Sequence, residues 1–192
     1  MSPAVKPFCK TLLKKLLLRY ATFAPLWIFL VVGFRPSAAV LSSTERFHPA
    51  MVWSSPVAAL VLAAFCLGWL AFEPVALGVI LFLMLGTVGV VLHSGPAYDL
   101  IHGAYGTLEQ TMLFLWIAAV FIVLAPWRPA VLVGADGPHT RLAAWLLVAL
   151  AVAAALGAWW LHPRVHPALV GGIPFVAVIG GRTAARWWVG KK

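Results

Sequence analysis

Long apolar runs constrain this chain more than any other feature of its sequence. They recur from residue 20 to the C-terminal region, and short polar breaks separate them. Of the 192 residues, 63% are hydrophobic and 10% are charged, whereas a soluble domain averages about half apolar and about a quarter charged residues. A soluble fold of this length has too little interior to bury so much apolar surface. The sequence therefore predicts an all-α, polytopic helical bundle that is integral to a lipid bilayer.

The breaks between the runs predict about six transmembrane helices. Several breaks contain proline, which disfavours continuation of a helix, as in Glu73-Pro74. The first run is short, because its 15 residues rise about 22 Å as a helix against a hydrocarbon core of roughly 30 Å. Residues 35–54 and 93–106 are predicted to be loops. The predicted spans cover residues 20–34, 56–72, 75–92, 108–125, 142–161 and 168–181.

This pattern divides the chain into three regions. Residues 1–19 carry five cations among leucines and no acid, which predicts a basic amphipathic segment on the membrane surface. Residues 20–74 hold two N-terminal spans, and residues 75–192 hold the other four.

Ala153 and Gly157 are four residues apart, a spacing that favours close packing of helices in lipid. The carboxylate of Glu73 is predicted to be a solvated turn group.

The distribution of positive charge predicts an orientation. The formal net charge of +9 would suggest nucleic acid in a soluble protein, but here the cations flank apolar spans, which indicates topology and anionic lipid headgroups and no nucleic-acid partner. Six spans with a cytoplasmic N-terminus place 11 of the 14 cations inside and three outside, which obeys the positive-inside rule. We therefore expect a protein of the bacterial inner membrane. The inner cations are Lys6, Lys10, Lys14, Lys15, Arg19, Arg128, Arg141, Arg182, Arg186, Lys191 and Lys192, and the outer ones are Arg35, Arg46 and Arg164.

The histidines raise the alternative of an outward-facing metal or haem protein. Histidine ligates both groups, and the same orientation places five of the six histidines outside, with His93, His102, His162 and His166 as the candidate ligands. The prolines Pro163 and Pro167 interrupt the helical spacing that would direct His162 and His166 at one ion. Because no full ligand set is visible, the sequence predicts no metal site.

The start of the fourth span, YGTLEQTMLFLWIAA at residues 105–119, is unusual because it carries one of only five acidic residues in the chain. Thr107 has the sequence features of a helix N-cap, and Gln110 three residues later completes a capping box. Glu109 then falls in the first turn, where the helix dipole favours negative charge. Helix capping alone therefore explains these residues without a ligand.

The same stretch resembles the signature of the MAPEG superfamily, the membrane-associated proteins in eicosanoid and glutathione metabolism. The T-L-E-Q run at residues 107–110 and the apolar helix after it carry the resemblance, which extends over roughly residues 75–190. Gly106 and His102 stand where the family has asparagine and arginine. The resemblance implies a divergent four-helix core that assembles as a trimer.

The resemblance also implies a ligand. Family members bind glutathione between protomers and act as transferases or peroxidases, so the expected glutathione contacts here are Glu109, His102, Gln110 and Arg164. Replacement of the family arginine by His102 is compatible with a member that has lost its chemistry. An alternative of another class is a non-enzymatic membrane subunit, such as an accessory or transport component that associates with other membrane subunits.

Overall fold

The computed structural model describes residues 18, 20–33, 43–92, 94–108, 110–162, 164–165 and 167–190. These residues form helices, turns and bends without a β-strand. The predicted amphipathic segment at residues 1–19 lies outside them, apart from Leu18. The chain divides into two compact units, Met1–Ala71 and Phe72–Lys192. The helices are α1 (Ala24–Gly33), α2 (Ser43–Cys66), α3 (Pro74–Val91), α4 (Pro96–Leu108), α5 (Thr111–Trp127), α6 (Pro129–Val133), α7 (Thr140–Leu161) and α8 (Pro167–Gly190).

The first unit is a pair of packed helices, α1 and α2. The rings of Phe29 and Phe47 stack with centroids 5.5 Å apart, and a Cβ added to Gly33 would lie 3.3 Å from the Phe47 ring. This packing explains why α2 begins at Ser43, within the predicted loop 35–54, although it contains two prolines. Proline has a helical φ, and burial of Phe47 and Ala50 against α1 favours the helix.

The predicted second span, residues 56–72, extends beyond the observed end of α2 at Cys66. Gly68 adopts φ 71°, and the backbone N–H of Trp69 donates to the Ala64 carbonyl at 2.9 Å. A glycine in this left-handed conformation is the usual way to end an α-helix. The apolar part of α2 is therefore Phe47–Cys66.

The second unit is built around α5, which packs against α3 on one side and α7 on another. A Cβ on Gly78 of α3 would lie 2.8 Å from the Ile117 Cα, so α3 and α5 approach closely at that point. Helix α8 packs against α7, where Gly181 faces the Leu150 side chain. The buried side of α7 is lined by small residues, which are Ala143, Ala144, Ala151, Ala154, Ala155 and Ala158.

Two expectations about α7 and α8 change with this packing. Ala153 is exposed, and a Cβ on Gly157 would meet nothing within 4 Å, so this pair forms no close contact among the described residues. Helix α8 continues to Gly190, nine residues beyond the predicted end of the last span at Gly181. Packing of Gly181 against α7 lets the helix pass through its consecutive glycines.

Three helical segments are long and apolar enough to cross a membrane, namely Phe47–Cys66, Pro74–Val91 and Thr140–Leu161. Ala24–Gly33 and Thr111–Trp127 are shorter apolar helices. By length and composition, these helices among the described residues are consistent with an integral membrane protein. The prediction of six crossings stays a prediction.

Helix α4 replaces the predicted loop 93–106. Pro96 occupies its first position and Asp99 its first turn, both of which favour a helix start. The helix folds back along α3, because Ile101 faces Gly89 and the Tyr105 ring stacks on Phe82, with 5.3 Å between centroids. The Tyr105 hydroxyl also donates to the Phe82 carbonyl at 2.7 Å.

Helix α4 runs antiparallel to α3, because Ile101 faces Gly89 and Tyr105 faces Phe82. Ile117 of α5 faces Gly78, which also lies within α3. The interruption between Leu108 and Thr111 therefore lies beside the interior of α3 and not beyond its end. In lipid, such a break is tolerated where it is buried in protein or lines a cavity.

We expect Gly78→Ala to destabilise the protein by about 1–3 kcal/mol, because the new methyl group would overlap the Ile117 backbone. The matched control, Gly157→Ala, adds the same methyl group to open space and should be neutral or stabilising by up to about 1 kcal/mol, since alanine favours helix. Unfolding of both variants in detergent micelles by denaturant titration measures the difference. Equal effects would contradict the close approach of α3 and α5.

Candidate functional site

The predicted capping box does not form. Thr107 lies inside the last turn of α4, whereas an N-cap residue needs non-helical backbone. Gln110 itself precedes α5, with φ −67° and ψ −21°, and its side chain makes no capping hydrogen bond. The capping prediction is therefore wrong, because residues 96–108 stay helical up to the break. Glu109 lies outside the described residues.

The Gln110 side chain instead faces the interior of the second unit. A Cβ on Gly171 of α8 would lie 2.9 Å from Gln110 Oε1, so the amide fits against this helix only because residue 171 is glycine. Along α5, Gln110 shares a helical face with Phe114, Ile117 and Phe121, all of which are fully buried. The amide thus lies at the N-terminal end of the core-facing side of α5.

Among the described residues, three buried polar atoms in or beside the first turns of α5 have no hydrogen-bond partner, namely Gln110 Oε1, Thr111 Oγ1 and Trp116 Nε1. Thr111 is only 4% exposed. Trp116 Nε1 lies near the Tyr105 hydroxyl, but the two do not meet hydrogen-bond geometry. An unsatisfied buried polar group costs about 1–3 kcal/mol, and native structures contain few of them.

We call the group formed by Gln110, Thr111 and Gly171 the Gln110 site. Gln110 and Thr111 adjoin the N-terminus of a 17-residue helix, where unpaired backbone N–H groups and the helix dipole create partial positive charge. The Thr111 side chain leans toward that terminus, as Cβ bonds do in helices. The site thus offers both donors and acceptors at a point within the bundle.

Two other residues predicted to contact glutathione have partners elsewhere. The His102 ring on α4 packs edge-to-face on Tyr98, with centroids 4.9 Å apart. The Arg164 guanidinium lies 4.4 Å above the Trp160 ring and donates to the Trp160 carbonyl. None of the described contacts joins either side chain to Gln110.

The candidate metal ligands are only partly described. His102 and His162 lie within the described residues, and His93 and His166 lie outside them. Within the described part of the chain, no three or more histidine, cysteine, aspartate or glutamate side chains are grouped to hold a metal ion. A metal or haem site at these histidines stays an untested alternative.

An ion pair at the opposite end of α3 escaped prediction. Glu73 Oε2 lies 2.8 Å from Arg182 Nη1, and the two side chains are 22% and 15% exposed. Arg182 Nε also donates to the Leu132 carbonyl at 2.8 Å, so one guanidinium joins α3, α6 and α8. The prediction that Glu73 is a solvated turn group is wrong. The partners are 109 residues apart in sequence, and no local pattern connects them.

Comparison with known proteins finds no matching family model and no significant match to a curated sequence or a solved structure. The MAPEG resemblance therefore rests on the residues quoted for it.

We expect Arg182→Gln to destabilise the protein by about 2–4 kcal/mol, because it leaves a mostly buried carboxylate unpaired. Glu73→Gln should cost less than Arg182→Gln, since Arg182 keeps its bond to Leu132. Arg141→Gln is the control, because Arg141 is exposed. Unfolding midpoints in detergent, combined in a double-mutant cycle, measure the coupling. Additive effects of the Glu73 and Arg182 substitutions would contradict the ion pair.

Proposed function

We propose that this chain is an integral membrane protein that binds an amphiphilic small molecule with its polar head at the Gln110 site. The observation that carries the proposal is a pair of buried atoms beside the start of α5, Gln110 Oε1 and Thr111 Oγ1, for which the described part of the chain provides no hydrogen-bond partner. A ligand that satisfies both atoms removes a cost that the unliganded protein bears. Polar groups inside membrane bundles are more often functional than incidental.

The chemistry of the site favours an anionic head. The Thr111 hydroxyl is a donor, and the helix dipole adds partial positive charge, which suits a carboxylate or phosphate oxygen. Gln110 Oε1 is an acceptor, so the ligand must also present an N–H or O–H, such as the ammonium of glutathione, the hydroxyl of a lysophospholipid or the O–H of a protonated fatty acid. The apolar helices of the protein are consistent with a membrane location, where the hydrophobic remainder of the ligand would lie among lipid chains.

The interrupted path of α4 and α5 supports the same function. Broken helices in membrane proteins place backbone N–H groups at ligands inside the bilayer. Tyr105 fixes α4 against α3 through its stack and hydrogen bond with Phe82, which holds the break in place. Gly171 provides the room that the amide of Gln110 occupies.

Glutathione is the first ligand to test, because the T-L-E-Q resemblance implies it and because it carries two carboxylates. Arginine is the usual partner for such groups, but Arg164 stacks on Trp160 and Arg182 pairs with Glu73. A glutathione site at Gln110 would therefore need a cationic side chain from another protomer. The trimer that the resemblance implies would supply one. Fatty acids and lysophospholipids present the same anionic head without that requirement.

Substitutions that remove the unpartnered atoms should stabilise the unliganded protein. We expect Thr111→Val, which keeps the shape of the side chain and removes the hydroxyl, to stabilise by about 1–3 kcal/mol. Thr183→Val is the control, because Thr183 is exposed and its hydroxyl donates to the Ile179 carbonyl, so this change should be within about 0.5 kcal/mol. Denaturant unfolding of delipidated protein measures both. Destabilisation by Thr111→Val would indicate that the hydroxyl has a partner in the protein.

Ligand binding should depend on the room at Gly171. Wild-type protein in nanodiscs should gain thermal stability with millimolar glutathione or with a medium-chain fatty acid, and Gly171→Ala should lose that gain because its methyl group would meet Gln110 Oε1. The neighbouring Gly172→Ala, whose methyl group meets nothing within 4 Å, should keep it.

The two substitutions add the same group to adjacent residues of one helix, so a difference between them reports on the site. Equal ligand shifts in both variants would place the ligand elsewhere. No shift with any anionic amphiphile in the wild type would favour the alternative function, a non-enzymatic membrane subunit.

A further inference from the structure

A second, separate site lies at the C-terminal end of α8. We propose that Arg186 binds the phosphate of an anionic phospholipid there, as a defined headgroup site. This inference concerns other residues than the Gln110 site and rests on the proposed function only for the location of the chain in a bilayer, so loss of ligand binding at Gln110 would leave it unaffected.

The aliphatic part of the Arg186 side chain packs over Gly134, whereas its guanidinium has no partner among the described residues. It follows Arg182 by one helical turn, and both side chains pass over Gly134, where a Cβ would lie 3.4 Å from Arg182 Nη2 and 3.6 Å from Arg186 Cδ. Gly134 has φ 80°, which disfavours any larger residue there. Arg182 is committed to Glu73 and Leu132. The Arg186 guanidinium forms no hydrogen bond or ion pair with another described residue.

The acids at this end of the bundle are already engaged. Glu73 pairs with Arg182, and Asp136 Oδ1 accepts the Gly137 N–H at 3.0 Å. Arg128 precedes α6, Arg141 lies in the first turn of α7, and both are exposed. With four arginines, including Arg182 and Arg186, against two acids, the described residues named at this end carry a formal excess of two positive charges, which attracts anions.

The surroundings of Arg186 are those of a membrane interface. Trp188 stacks on His139 with centroids 5.3 Å apart and an angle of 6°, and Trp127 and Trp187 are 82% and 63% exposed. Indoles favour the headgroup level of a bilayer. Arg186 is therefore positioned at the depth of lipid phosphates, where basic groups between helices bind anionic headgroups.

A row of exposed side chains runs along α8 from Arg186 toward the middle of the helix. Thr183, Ile179 and Val176 follow it at helical spacings of three and four residues, so they share its face, and all three are exposed. The Thr183 hydroxyl is satisfied by the Ile179 carbonyl. This surface suits acyl chains, which is why we assign a phospholipid and not free phosphate.

The test is titration of phosphatidylglycerol into the purified full-length protein in neutral detergent, with bound lipid counted by native mass spectrometry. Arg186→Gln should weaken phosphatidylglycerol binding by about fivefold or more, from a contribution of about 1 kcal/mol for one arginine near the phosphates. Arg186→Lys should weaken it less, because the charge remains while the two-pronged hydrogen bonding is lost. Phosphatidylcholine should bind more weakly and respond little to either change.

Arg141→Gln is the matched control, since it removes one exposed arginine from the same end of the bundle. A loss equal to that of Arg186→Gln would show diffuse attraction and overturn the headgroup site. Competition by inorganic phosphate at the concentration of the lipid would overturn the assignment to a phospholipid. A larger loss for Arg186→Gln without such competition would support it.

Discussion

A bilayer location, with which the apolar helices are consistent, imposes one requirement on the second unit: each buried polar atom needs a partner in the protein or in a ligand, because the hydrocarbon region holds no water. Arg182 meets it: its guanidinium pairs with Glu73 and donates to the Leu132 carbonyl, so α3, α6 and α8 are joined at one point. Tyr105 meets it by donating to the Phe82 carbonyl, which fixes α4 beside α3. Gln110 and Thr111 do not meet it. Arg182 and Tyr105, whose polar groups are paired, therefore have structural roles, whereas Gln110 and Thr111 are candidates for binding a ligand.

Close packing and the interrupted helix explain where the unsatisfied atoms lie. Gly78 brings α5 against α3, and Gly171 of α8 makes room for the Gln110 amide. Because α4 already follows α3 past Phe82, α5 begins beside the interior of α3, and its N-terminal dipole is directed into the bundle. A helix that began at the membrane surface would have presented the same residues to water and headgroups, where they need no ligand.

The all-helical class of the described residues was predicted from the sequence, because long apolar runs favour helices that are consistent with a membrane protein. The third, fourth and fifth apolar runs lie close to α3, α5 and α7, since their ends coincide with prolines or polar breaks. Prediction from the sequence failed where tertiary contacts override local signals. The contact of Phe47 with Phe29 extends α2 into a predicted loop. Contacts with Gly89 and Phe82 of α3 stabilise α4 as a helix, although residues 96–108 contain glycines. The Glu73–Arg182 pair joins residues too distant for any local pattern to connect. At the site, the role predicted for Gln110 in a capping box was wrong, because Thr107 is helical.

The central claim is that the polar atoms of the Gln110 site are satisfied by a molecule that is not part of the protein. The most direct measurement is a high-resolution cryo-electron microscopy structure of the protein in nanodiscs, solved with the ligand that gives the largest thermal shift. The account predicts non-protein density within hydrogen-bond distance of Gln110 Oε1 and Thr111 Oγ1. Density that instead shows both atoms paired with side chains or backbone of the protein would contradict it.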